Sequence, residues 1–260
     1  MLFFFIAVAI VISFTLYQRK RKRVLTQHIL TDAQKRLLTR HIDYYNRLSE
    51  TDKLYFEDKI EQFLDDVRIE AVGFKLSDTD KLMVASSAVI PIFRFKDWSY
   101  RNVTNVLLYP DTFDKEFQYE GAQSRNIMGM VGTGYMNGQM LLSRSALIKG
   151  FSSQAGESNT AIHEFVHLLD KADGETDGVP ENFLPHECIK PWISMMHKEI
   201  NRIERGHSDI DAYAITNEAE FLAVVSEYFF EKPEMFHVKH PELYAMLIRI
   251  FGQSPAENQH

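Results

Sequence analysis

Residues 161–172 read AIHEFVHLLDKA, and the fold class turns on this stretch. Ile162, Phe165, Val166 and Leu169 recur at three- and four-residue spacing, which predicts a helix with one buried face. His163 and His167 stand one turn apart on the other face, so both imidazoles can point at a single ion while Glu164 projects beside them. The H-E-x-x-H pattern suits a catalytic zinc, which takes nitrogen and carboxylate ligands in a tetrahedron and leaves one corner for water. His163 and His167 are therefore expected as metal ligands and Glu164 as the general base. A chance match on an ordinary amphipathic helix has a probability of roughly a few per cent, so a third ligand is required.

That ligand should be acidic and carried on a later helix. Asn217-Glu218-Ala219-Glu220-Phe221-Leu222-Ala223 meets the description. Glu220 and Glu227 are seven residues apart and share a helix face, while Glu218 points away from both. Periodicity does not separate Glu220 from Glu227.

The string IHEFVHLLDKADG, then Asp211-Ala212-Tyr213, then NEAEFLAVVSEYFF, resembles the Mlc titration factor A family of bacterial zinc peptidases. NVLLYPDTF and GQMLLSRSALIKGF extend the likeness, which covers roughly residues 60 to 250. The stretch from Tyr213 to Glu220 is also similar to the zinc domain of anthrax lethal factor, where a tyrosine stands seven residues before the glutamate ligand. The resemblance implies an α+β, zincin-like fold of the gluzincin type: a helical bundle with a small mixed β-sheet. It implies Zn2+ held by His163, His167 and Glu220, Glu164 as general base, Tyr213 as a hydroxyl donor and Glu227 in a supporting role. The implied activity is zinc-dependent hydrolysis of peptide bonds in a peptide or protein substrate, either aminopeptidase-like at the N-terminus or internal, which the sequence does not decide. The alternative is a non-catalytic regulatory protein that sequesters a transcriptional repressor, because the titration factor family is named for capturing a sugar-responsive one.

Around this centre, residues 25–66 read as a helical lead-in with Thr31-Asp32 and Thr51-Asp52 as cap candidates. Residues 71–143 change to short apolar runs, VIPIFRF, NVLLYP and GQMLLS, which predict a small mixed sheet with the motif helix packed under it. GQMLLS is expected at its edge, with Met140–Ser143 near the cleft, aligning an extended peptide. Helical spacing returns from Thr160, with Pro180 and Pro185 bracketing a loop and Gly206 ending the helix before it. Asp170 is placed either to hydrogen-bond a ligand imidazole or to face solvent. DKADGETDG fails the calcium-loop spacing and reads as a turn. His186, His197, His207, His237 and His240 are expected at the surface or at caps.

Composition narrows the remaining possibilities. Residues 2–17, LFFFIAVAIVISFTLY, carry no charge and are followed at once by Arg19-Lys20-Arg21-Lys22-Arg23. This predicts an N-terminal membrane anchor over residues 1–23 and a catalytic domain over 24–260, held on the cytoplasmic side by the positive-inside rule. Setting those five aside leaves 24 basic against 36 acidic residues, a charge of −12, which argues against nucleic acid as a partner. Cys188 is the only cysteine, so no intrachain disulfide forms. The motif lies in a charged helix far from the apolar run, which excludes an intramembrane protease.

Overall fold

The computed structural model describes residues 30–114, 127–132, 137–152 and 156–257. The expected membrane anchor at residues 2–17 and the domain boundary at 23 lie outside them. Among the described residues no helix is long and apolar enough to cross a membrane. The chain divides into Met1–Leu30 and Thr31–His260, and the fold lies in the second unit.

The lead-in is helical as expected: α1 Asp32–His41, α2 Asp43–Asn46 and α3 Glu50–Asp66. Thr31 opens α1 through a capping box with Gln34. α3 starts earlier than the Thr51-Asp52 cap candidate allows, because Ser49 accepts the Asp52 N–H at 3.2 Å. Strand β1, Arg68–Ala71, leads to α4, Asp78–Ile92, whose Ser77 and Asp80 form a second capping box. Here the sheet expectation is corrected, since Val89–Ile92 of VIPIFRF belong to this helix. α4 packs against α1, α3 and the motif helix, so it is apolar nearly all round, and a run without period does not distinguish a buried helix from a strand.

Strands β2 Val103–Tyr109, β3 Gly129–Val131 and β4 Gly138–Ser143 complete a four-stranded mixed sheet in the order β1-β2-β4-β3. β1, β2 and β4 run parallel, and β3 returns antiparallel with Met130 opposite Leu141. GQMLLS is thus an inner strand, and the edge nearest the motif helix is β3. Met140, Leu141 and Leu142 are fully buried, and a strand covered on both faces and paired on both sides reads as a continuous apolar run. β3 has three half-buried residues, too few to leave an alternating pattern.

α5 Arg144–Gly150 precedes the motif helix α6, Thr160–Asp170, followed by α7 His186–Glu204, α8 Glu218–Glu231, α9 Pro233–Lys239 and α10 Pro241–Phe251. Gly206, in a left-handed conformation, follows α7 as expected. α6 lies between the sheet, α4 and α8. Its Phe165 is fully buried, edge-on to Phe63 at 5.5 Å and beside Tyr100 at 5.2 Å. Burial of such a ring contributes roughly 1.5–3 kcal/mol, which fixes the rotation of α6 and turns His163, Glu164 and His167 to the opposite side.

Candidate metal centre

Two helix caps place the centre. Asn159 caps α6, accepting the Ile162 N–H at 3.2 Å, and the helix ends in a 3-10 turn at Lys171–Asp173. Asn217 caps α8, accepting the Glu220 N–H at 2.9 Å, which sets Glu220 in the first helical turn, facing α6. The loop between them reaches the start of α8 only through Gly178, where a Cβ would stand 2.2 Å from the Glu218 carbonyl oxygen.

His163, His167 and Glu220 converge, each offering one atom within 4.8 Å of the others. His163 Nε2 lies 3.0 Å from His167 Nε2 and 2.9 Å from Glu220 Oε2, and His167 Nε2 lies 3.4 Å from the same oxygen. The Glu220 and Glu227 ambiguity resolves by depth along α8: Glu227 reaches the far side of the His163 ring, with Oε1 2.7 Å from Nδ1. Glu164 is buried beside His163, against the backbone of Gly129 in β3. Tyr213 sits in a 3-10 turn, Ala212–Ile215, where Asp211 accepts its N–H at 2.8 Å. At 54% exposure it is no core residue, and its ring centre is 6.0 Å from that of His163.

The electrostatics follow from this crowding. Burial pulls the His163 imidazolium down, but Glu220 and Glu227 against its two nitrogens prevail and raise it to about 10. Burial pushes the Glu220 carboxyl up, yet its contacts with His163 and His167 hold it down at about 2. Burial raises Glu164, and both burial and the nearby carboxylates raise the Tyr213 phenol, which stays a donor at neutral pH. Two imidazole nitrogens and a carboxylate oxygen all direct lone pairs into one small volume, and only a shared cation or protonation relieves that convergence. The donor set fits a divalent ion with an open corner.

The open side is a groove along β3. One cavity of about 570 Å³ reaches from Glu164 toward Glu157 and Tyr228, and another of about 490 Å³ runs past His167 toward Lys171 and Asn217. Gly129, Met130, His163, Glu164 and Tyr213 border both.

Other expectations changed. Asp170 is fully buried, neither solvated nor paired with an imidazole; it accepts the Gly178 N–H at 2.9 Å. His240 does stand at a cap, between α9 and α10, but it is buried there with Nε2 2.7 Å from Asp209 Oδ1. Asn159, Gly129 and Glu231 were not singled out from sequence. A cap signal could have found Asn159, just before the periodic run of α6; no local signal marks Gly129, whose role depends on a helix distant in sequence.

The chain is similar to known proteins. The chain is 29% identical over 209 residues to Mlc titration factor A of Salmonella agona, covering 76% of this chain and 77% of the relative. The counterparts from Salmonella typhimurium and Salmonella enteritidis match at the same identity and coverage. The family model described as glucose-regulated metallo-peptidase M90 matches residues 16–252, wider than the span carried by the motifs. The chain belongs to the glucose-regulated metallo-peptidase M90 family.

Proposed function

We propose that this protein is a zinc-dependent peptidase in which His163, His167 and Glu220 hold the ion and Glu164 is the general base. The observation that carries the reading is the convergence of three ligand atoms beside a buried, otherwise unengaged carboxylate. When bound, zinc supplies Lewis-acid polarisation and makes water more acidic. Glu164 takes a proton from the attacking water as its oxygen bonds to the scissile carbonyl carbon, and delivers it to the amine as the C–N bond breaks. Tyr213 donates a hydrogen bond to the oxyanion that develops. The end strand β3 aligns an extended peptide as an added antiparallel strand across the groove.

The test is hydrolysis of chromogenic aminoacyl and internally cleaved peptides by zinc-loaded protein. Glu164→Gln is expected to lower kcat by roughly 10²–10⁴-fold while zinc content stays at one ion per chain. Equal turnover by both proteins would sink the assignment. A second reading is favoured by the name of the relatives: capture of a transcriptional repressor, as Mlc titration factor A is named for. Inert protein that still binds a repressor would support it. We further infer from the apolar run at residues 2–17 that the domain is tethered to a membrane on its cytoplasmic side. Removing residues 1–23 should move the protein from the membrane pellet to the supernatant, and full-length chain in the supernatant would oppose the tether.

A further inference from the structure

Glu227 has no part in the hydrolytic steps, yet it is only 6% exposed and its carboxylate is fully engaged. Oε1 lies 2.7 Å from His163 Nδ1, and Oε2 accepts the backbone N–H of Asn159 at 2.5 Å. Asn159 is the residue that caps α6. One turn further along α8, Glu231 Oε1 accepts from Asn159 Nδ2 at 2.8 Å. α8 therefore meets α6 at three levels: Glu220 at the ligand atoms, Glu227 behind the His163 ring, and Glu231 at the cap.

An ionised carboxylate only accepts hydrogen bonds, so the atom facing Glu227 Oε1 must carry a proton. His163 then has Nδ1–H, and its neutral form keeps the lone pair on Nε2, the atom directed at His167 and Glu220. Without that partner the ring proton can move to Nε2, and a tautomer protonated there cannot bind an ion. We propose that Glu227 is a positioning residue that locks His163 in the Nδ1–H tautomer and in ring orientation, and thereby sets the metal affinity of the centre. The inference rests on the metal-centre reading above. It assigns the brace to a carboxylate on the same helix as the third ligand, so a shift of α8 moves ligand and brace together.

Glu227→Gln tests this with little change of shape. The carboxylate serves two N–H donors with two acceptors, whereas the amide has one acceptor oxygen, so His163 or Asn159 is left facing an NH2 group. Zinc affinity of the full chain, measured by competition with a chromophoric chelator, is expected to fall about 10–100-fold. In histidine-labelled, zinc-loaded protein, the downfield Nδ1–H signal of His163 should shift or disappear. Glu227→Asp keeps two acceptors on a shorter stem and should retain intermediate affinity. Glu231→Gln keeps an acceptor for its single donor and should bind zinc within about threefold of wild type. The proposal is overturned if Glu227→Gln binds as tightly as wild type, or if Glu231→Gln loses as much, which would make helix anchoring the cause. Wild-type protein that takes up no zinc would instead defeat the metal-centre reading, and this inference with it.

Discussion

Gly129 shows how narrowly Glu164, the proposed base, is placed. A Cβ there would stand 2.7 Å from both Cγ and Oε1 of Glu164, and the backbone of β3 has no slack to withdraw because Met130 and its neighbours pair with β4. In Gly129→Ala the Glu164 carboxylate must move. Misplacement of about 1 Å can cost roughly 10²-fold, so kcat should drop on that scale while zinc affinity, set by atoms that do not touch Gly129, is kept. Unchanged kcat, or a matching loss of zinc, would refute the placement. Tyr213→Phe leaves the exposed ring in place and removes only its hydroxyl; kcat should fall about 10²–10³-fold with little change in KM. A variant as fast as wild type would return Tyr213 to the role of groove wall. At the level of single residues the sequence spacing put forward His163 and His167 together. It left Glu220 and Glu227 tied because they share a face, and only their depth against α6 separates them.

Elements were legible in proportion to how far one face differs from the other. α7 has a wet and a dry side, and α6, though buried nearly all round, sets the polar side chains His163, Glu164 and His167 against an apolar face, so both periods could be read directly. α4 and β4 are enclosed by other elements, and enclosure erases the period that would tell helix from strand or edge from centre. Asp170 was misread for a related reason: its position on α6 is polar by type, but the loop that covers it is set by Gly178 and by Trp192 Nε1 donating to the Gly178 carbonyl at 2.7 Å. That burial has a measurable consequence. One Asp170 oxygen accepts from Gly178 and the other has no partner, and burial raises the carboxyl to about 7 from an ordinary 3.8. The folded state thus holds this proton more tightly than the unfolded chain, so its contribution is full below about pH 4 and is lost as pH rises toward 7. The loss is at most about 4 kcal/mol, from roughly 1.4 kcal/mol per pKa unit. Asp170→Asn retains an acceptor for Gly178 and has no charge to bury. Urea unfolding of metal-free protein at pH 5 and pH 8 should show a flatter profile for the variant, and an identical decline would place the titration elsewhere.

Across the molecule, the helices that carry His163, His167 and Glu220 are held together by hydrocarbon. Phe221, Phe229 and Phe230 of α8 are buried to 1% exposure or less. Phe230 and Phe251 lie 4.9 Å apart between ring centres, and Phe165 of α6 is enclosed by Phe63 and Tyr100. On the proposed reading an ion would join two elements that the core already places side by side, unlike a small zinc domain whose fold depends on its metal. Chelation should abolish hydrolysis while the helical circular dichroism at 25 °C and a single cooperative melt persist. An ion present at a thousand times its dissociation constant stabilises the folded state by about 4 kcal/mol. For a domain of this length each kcal/mol moves the midpoint by roughly 2–4 °C, so stripping the metal should lower Tm by about 10 °C. Added zinc should restore both Tm and turnover. A chelated protein that melts without cooperativity would mean that the ion, and not the aromatic core, holds α6 against α8.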